Sequence, residues 1–220
     1  MATQSEENYL KNIFIILEKN NSLPVTTNEL SDVMSIKAAS VSDMLKRLSE
    51  KRLIHYKKYK GVVLTQKGKA RAVCIIRKHR MWEYFLVEKL KLQWDEVHAV
   101  AEELEHVNSD LMIDKLDLFL GHPKFDPHGD PIPDQRGKVV SQNFKNLSAL
   151  AIHEKGNVAA VLEQQPAFLR HLKKLSIQIR TPLEVIDKME FDKSMSIKIN
   201  NTTITNISFE IAKNILIAKS

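Results

Sequence analysis

The chain has 220 residues, 43% hydrophobic and 27% charged, the balance of an ordinary water-soluble protein with room for one large domain or two to three small ones. No apolar run approaches membrane-spanning length, the start MATQSEENYLKN lacks the basic head and apolar stretch of a signal peptide, and one cysteine allows no internal disulfide, so no membrane contact and a reducing cytoplasm are expected. The net charge of +6 lies wholly in the first third, where residues 1–72 hold 13 Lys or Arg against 7 Asp or Glu while the rest holds 20 of each sign, and this asymmetry directs one end toward a polyanion.

Over residues 6–18, Tyr9, Leu10, Ile13, Phe14, Ile16 and Leu17 recur at helical spacing and predict an amphipathic helix ending in the loop Lys19-Asn20-Asn21-Ser22. Beyond Pro24, Thr26 and Glu29 form a candidate capping box for a short second helix carrying Leu30 and Val33. The turn Met34-Ser35-Ile36 leads to a third helix with Val41, Met44, Leu45 and Leu48 inward and Lys37, Ser40, Ser42, Asp43, Lys46 and Arg47 outward. Two short helices joined by a tight turn are the helix-turn-helix unit, whose second helix lies in the DNA major groove. Residues 53–57 and 62–65 alternate like strands around Lys58-Tyr59-Lys60-Gly61, which predicts a hairpin wing with a basic tip. Lys58 and Lys60 suit phosphate contacts, Ser40 and Ser42 can donate to phosphates, and Lys37, Ala39 and Asp43 lie where base edges are read.

Helical patterning resumes over residues 67–91, 95–109 and 112–120. Long helices after a DNA-reading module supply a dimer interface, for which Trp82, Phe85, Leu86, Leu90 and Trp94 are candidates; Cys74, in an apolar run, is expected in the core. Residues 121–133 hold four of the seven prolines and predict an ordered loop, with a linker over 134–142; its His122, Asp126 and His128 are read as loop residues. Residues 148–153 and 158–163 look like strands, 167–175 like a short helix, and 183–186, 196–199 and 203–207 like further strands, with 211–217 closing a small barrel. No H-E-x-x-H, Gly-rich phosphate loop or serine elbow occurs, so an enzyme is not expected.

The ionisable residues of the middle fall on stripes. His79 and Glu83 are four apart, and His98, Glu102, Glu105 and His106 stand at i, i+4, i+7 and i+8, while Val97, Val100, Ala101 and Leu104 give the same helix a separate core-facing side. Imidazoles and carboxylates so placed are ligands for a divalent transition metal, which would relieve the repulsion among the carboxylates. An E-E-x-E-H run also suits a solvated helix face, and a winged-helix regulator answering an organic ligand, with a structural His/Glu cluster, stays open as an alternative.

The segments RKHR-x-x-E at 77–83, V-H at 97–98, EHV-x-SD at 105–110 and G-x-PIP at 129–133 resemble the diphtheria-toxin-repressor family of metal-dependent transcriptional repressors. The resemblance implies a mainly α chain with a C-terminal β part: a winged helix-turn-helix over 1–72, a helical metal-binding and dimerisation domain over 73–142, and an SH3-like (FeoA-like) barrel over 143–220. It also implies a homodimer on a palindromic double-stranded operator, activated by Mn²⁺ or alternatively Fe²⁺ to repress metal uptake. One implied metal site matches His79, Glu83 and His98 with a barrel ligand near Glu163; the other matches Glu102, Glu105 and His106 with Asn8 from the first helix. The iron-responsive branch has Cys at Glu102 and the manganese branch Glu, so the harder oxygen favours manganese. That branch, however, carries acidic residues at Asn8 and Lys11; Asn8 can coordinate through its amide oxygen, whereas a protonated Lys11 cannot.

Overall fold

Two threonines start the first two helices. Thr3 caps α1 (Gln4–Lys19) and Thr26 caps α2 (Thr27–Met34), each exchanging hydrogen bonds with the Glu three residues on, which satisfies backbone N–H groups that a helix start leaves unpaired. In this computed structural model, which describes residues 3–20, 22–140 and 143–219, the chain divides into two units, one of residues 1–79, 104–109 and 133–138 and the other of residues 80–103, 110–132 and 139–220. Asn21 of the predicted loop and Ser141 and Gln142 of the predicted linker lie outside the described residues.

In the first unit α2 ends on Ser35 in the left-handed region at φ 53°, while Ser31 Oγ donates to Ile36 O at 2.6 Å, and this tight turn delivers α3 (Ala38–Glu50). Strands β1 (Ile54–Lys57) and β2 (Gly61–Leu64) pair antiparallel as the predicted wing. Gly61 is required at its tip: φ is +87°, and a Cβ there would meet Val25 O at 2.8 Å. Leu10, Ile13, Val25, Leu30, Val41, Leu45, Leu48 and Val62 are fully buried together, and each aliphatic side chain so placed contributes about 1.5–3 kcal/mol over exposure. Val33, expected inward, is 57% exposed because the short α2 needs only Leu30 for its core contact. The first part of α4 (Gln66–Glu88) completes the unit; Cys74, expected in the core, falls on the exposed side of this helix.

The second unit takes the rest of α4, most of α5 (Val97–Leu104), α6 (Asp110–Phe119) and the C-terminal sheet. Helix α5 is shorter than its pattern predicts; Glu105 and His106 fall in the turn after it, where Val107 N–H donates to Leu104 O at 3.1 Å. The sheet has strand order β3 (Lys145–Asn146), β8 (Ile215–Lys219), β4 (Lys155–Val161), β5 (Pro182–Lys188), β6 (Met195–Ile199) and β7 (Thr203–Ile207), all neighbours antiparallel, with bulges in β4 and β5 that bend it into the SH3-like form. Helices α7 (Pro166–Lys174) and α8 (Phe209–Lys213) cover it, and Trp94 enters the same apolar core as Leu147, Leu172 and Ile197.

Three expectations change here. Residues 148–153 are not a strand: Ser148 and Ala149 belong to a 3₁₀ turn (Leu147–Ala149) and the rest follow it, since Leu147 and Leu150, three apart, both reach the core. Residues 211–217 divide between α8 and β8 because Ser208 caps a helical turn. Trp82, Leu86 and Trp94 are buried within one chain, so among the described residues the large apolar side chains left on the surface of the helical part are Leu90, Val100, Leu111, Met112, Leu118 and Phe119, and Val100, expected on the core-facing side, is 37% exposed. Among the described residues no helix is long and apolar enough to cross a membrane.

Candidate metal centre

Imidazoles and carboxylates gather in two clusters, one in each unit. In the second unit Glu83 of α4 is 1% exposed, and the proline-rich loop brings Asp126 (5%) and His128 (0%) to it, so that one ligand atom of each lies within 4.8 Å of the others. Asp126 Oδ1 accepts from the N–H of His128 at 2.8 Å and of Asp130 at 2.9 Å, shaping the loop from inside. Gly129, at φ +89°, lies against β4, where a Cβ would meet Ala159 O at 2.1 Å. Val161 N–H donates to His128 O at 2.9 Å, and Arg80 Nη1 donates to Pro131 O at 2.7 Å.

The ring of His128 is fixed at one nitrogen and unsatisfied at the other. Nε2 donates to Trp94 O at 2.8 Å, and the ring stacks on the indole at 6.1 Å and 16°. Nδ1 is buried without a hydrogen-bond partner and stands 3.4 Å from Glu83 Oε2. Glu83 Oε1 is 3.3 Å from Nδ1 of the half-exposed His98, whose Nε2 is 3.5 Å from Glu102 Oε1. Burial first, then the Asp130 and Glu83 charges, push the Asp126 carboxyl up to about 7. Burial works to lower the His128 imidazole, but the adjacent Glu83 and Asp126 carboxylates outweigh it and push it up to about 9. Both groups hold protons that a cation would displace, so a buried nitrogen lacking a partner and two carboxylates fit a divalent ion.

In the first unit the cluster centres on Glu105, which is fully buried. Lys11 Nζ donates to its two oxygens at 2.7 and 2.8 Å, His79 Nδ1 lies 2.6 Å from Oε2, and His106 Nε2 is 3.7 Å from Oε1. His106 Nδ1 pairs with Glu7 Oε2 at 2.9 Å. Asn8 Oδ1 is buried with no hydrogen-bond partner. Within the second unit Glu83, His98 and Glu102 follow one another, and within the first His79, Glu105 and His106 do.

Glu163 is not brought to either cluster. Its carboxylate accepts from Gln165 N–H at 2.8 Å, and Gln164 instead reaches the loop, donating through Nε2 to Asp130 Oδ2 at 3.0 Å. Asp126 and His128, read from sequence as loop residues, are the members that sequence reasoning missed; the signal was D-P-H-G-D-P, in which an Asp and a His flank a proline and a glycine holds the turn.

On α3 and the wing, Lys37, Ala39, Ser40, Asp43, Lys46, Arg47, Lys58 and Lys60 are exposed and Ser42 is half-buried. Asp43 and Lys46 pair at 3.1 Å, and Lys58 Nζ lies 5.0 Å from the Tyr59 ring. Helix α3 starts at Ala38 without a side-chain cap or an acidic first turn, so its end is suited to a phosphate.

A winged helix, a buried oxygen and nitrogen cluster and an SH3-like sheet define a DNA-binding regulator of the metal-dependent class. Family models match in series: the N-terminal DNA binding domain of iron dependent repressors over residues 1–62, their metal binding and dimerisation domain over 65–134, and the FeoA domain over 145–219. The chain belongs to the diphtheria-toxin-repressor family of metal-dependent transcriptional repressors, a family of DNA-binding proteins rather than enzymes. It is 36% identical over 118 residues to an uncharacterized HTH-type transcriptional regulator of Methanocaldococcus jannaschii, covering 54% of this chain and 94% of that one. It is 34% identical over 127 residues to the iron-dependent repressor IdeR of Mycobacterium tuberculosis, covering 58% of this chain and 54% of that one. Among solved structures, a manganese-dependent transcriptional repressor in complex with manganese matches with TM-score 0.86 and 31% identity over 98% of this chain and 100% of that one.

Proposed function

We propose that this chain represses metal-uptake genes by binding a palindromic operator as a homodimer when Mn²⁺, or alternatively Fe²⁺, is bound. The observation that carries the reading is the buried trio Glu83, Asp126 and His128, whose His128 Nδ1 lacks a hydrogen-bond partner while Nε2 is held by Trp94 O. His98 stands beside Glu83. The donors are carboxylate oxygens and imidazole nitrogens with no thiolate, which suits Mn²⁺ and Fe²⁺. A bound dication would place its charge between two buried carboxylates, Glu83 and Asp126.

Lys37, Ala39, Ser40, Ser42, Asp43, Lys46 and Arg47 then present the recognition face, with Lys58 and Lys60 as phosphate contacts from the wing. The surface-exposed Leu90, Leu111, Met112, Leu118 and Phe119 supply the apolar area for the second protomer. The division into 1–72, 73–142 and 143–220 assigns DNA reading, metal binding with dimerisation, and an SH3-like domain that braces the metal loop, where Gly129 meets β4.

The test is selection of a bound duplex from a random pool, followed by fluorescence anisotropy at fixed salt with apo-protein, Mn²⁺, anaerobic Fe²⁺ and Zn²⁺. Binding that requires Mn²⁺ or Fe²⁺ is expected. Equal affinity without metal would reject metal activation. Linkage adds a second check, because operator must raise metal affinity by the factor that metal raises operator affinity.

A further inference from the structure

The ligands that the resemblance implies for a second ion, Asn8, Glu102, Glu105 and His106, do not match what the chain builds around Glu105. Lys11 Nζ, with its side chain 6% exposed, donates to both oxygens of a fully buried carboxylate at 2.7 and 2.8 Å, and His79 Nδ1 lies on Oε2 at 2.6 Å. An ion chelated by both oxygens of Glu105 would need the edge of the carboxylate that the ammonium occupies. Protonated lysine has no lone pair with which to join it.

Charge balance gives the same answer from a different side. Glu7 and Glu105 are matched by two cations, Lys11 and Arg71, the latter with Nε 3.9 Å from Glu7 Oε1. A dication placed on Glu105 would stand close to the buried Lys11 ammonium, and like charges repel most strongly where water is excluded. In the other cluster the Arg80 guanidinium lies 3.8 Å from Asp126 and 3.4 Å from Asp130, and Glu83 faces the buried Nδ1 of His128 rather than a lysine ammonium at hydrogen-bond distance on both its oxygens.

We propose that the Lys11 ammonium is the resident cation of the Glu105 pocket: it ties α1 to the turn after α5 without metal, and the chain takes one divalent ion, at the Glu83 cluster, rather than two. The lysine tether stands on the geometry of its own pocket; the count of one rests on the metal reading above. Lys11 is one residue from the fully buried Leu10 and two from Ile13, so the tether acts on the helix that packs against the DNA-reading core. The control that a second ion would exert there is replaced by a permanent bond.

The experiment counts Mn²⁺ per chain by native mass spectrometry and titration calorimetry on the full chain, for wild type, Lys11→Glu, Lys11→Gln and Asp126→Asn, with far-UV circular dichroism to check folding. Wild type is expected to bind one Mn²⁺, Asp126→Asn to lose it, and Lys11→Glu to bind two, because it removes the ammonium and adds a carboxylate beside Glu105, Asn8 and His106. Lys11→Gln, which brings no extra negative charge, gains a second and weaker ion and supplies the result if Lys11→Glu does not fold. Two ions on wild type, retention of the single ion by Asp126→Asn, or no gain in the folded Lys11 variants would overturn the proposal while leaving metal activation intact. No ion on wild type with one gained by each Lys11 variant would uphold the lysine as resident cation and reject the metal-activated reading.

Discussion

The two histidine–carboxylate clusters are built from the same side-chain types and differ in how their charge is met. Around Glu105 a lysine reaches in from α1 and both carboxylate oxygens are occupied. Around Glu83 the second carboxylate comes from a loop, and the imidazole nitrogen that faces it, Nδ1 of His128, is buried with no hydrogen-bond partner. The difference teaches that donor type does not by itself make a metal site; the charge and lone pairs left unanswered after folding do.

Removing the carboxylate of the satisfied cluster has the largest expected effect on stability. Glu105→Ala leaves the Lys11 ammonium and His79 facing a void, and breaking a buried pair on one side costs about 3–5 kcal/mol. Urea denaturation of the metal-free protein is expected to show that loss, and saturating Mn²⁺ is expected not to restore the pair. Asp126→Asn sharpens the contrast from the opposite side. It removes a charge that repels Glu83 and Asp130, so the metal-free protein gains stability, while Mn²⁺ affinity falls by at least the ~10–100-fold that loss of a supporting partner costs at metal sites. Calorimetric titration with thermal melts of both forms reads the two opposite effects.

The pH dependence follows from the same cluster. Asp126 moves from 3.8 to about 7 and His128 from 6.5 to about 9, so over each interval the folded state holds more protons than the unfolded chain. Stability of the metal-free protein therefore falls as pH rises, first from about 4 to 7 through Asp126 and then from about 6.5 to 9 through His128. Asp126→Asn is expected to flatten the lower interval and His128→Gln the upper one in melts across pH; a melting temperature that rises over both intervals would contradict this electrostatic picture. Metal binding runs the other way, strengthening with pH because protons leave the ligands. The smallest effect lies in the wing. Replacing Lys58 and Lys60 by Ala is expected to weaken all duplexes alike and to lower the slope of log affinity against log salt by about 1 for each lysine that meets a phosphate.

Much of the DNA-reading unit is legible in the sequence because its signals are local. The capping box at Thr26, helical spacing from Tyr9 to Leu17, and alternation on either side of Gly61 each fix an element without distant help. The middle is legible only in part. His79, Glu83 and His98 are visible as helical stripes, but which carboxylate meets which cation depends on Lys11 reaching a residue 94 positions away. Asp126 and His128 gave no periodic signal, since they reach Glu83 through an irregular loop whose path is set by Gly129 against β4 and Arg80 on Pro131. In the sheet, alternation over 148–153 was misleading because a spacing of three, seen in Leu147 and Leu150, serves a 3₁₀ turn as well as alternation serves a strand.

The stacking of Trp94 on His128 makes the chain its own optical probe. The indole is 8% exposed, held in the sheet core, and lies 6.1 Å from an imidazole whose charge changes when a proton gives way to a cation. The other indole, Trp82, meets Phe85 edge-on at 5.8 Å. A Trp82→Phe protein therefore carries a single emitter seated on the ligand, and its fluorescence in a stopped-flow instrument follows the arrival and departure of the ion in real time, with no dye and no DNA present.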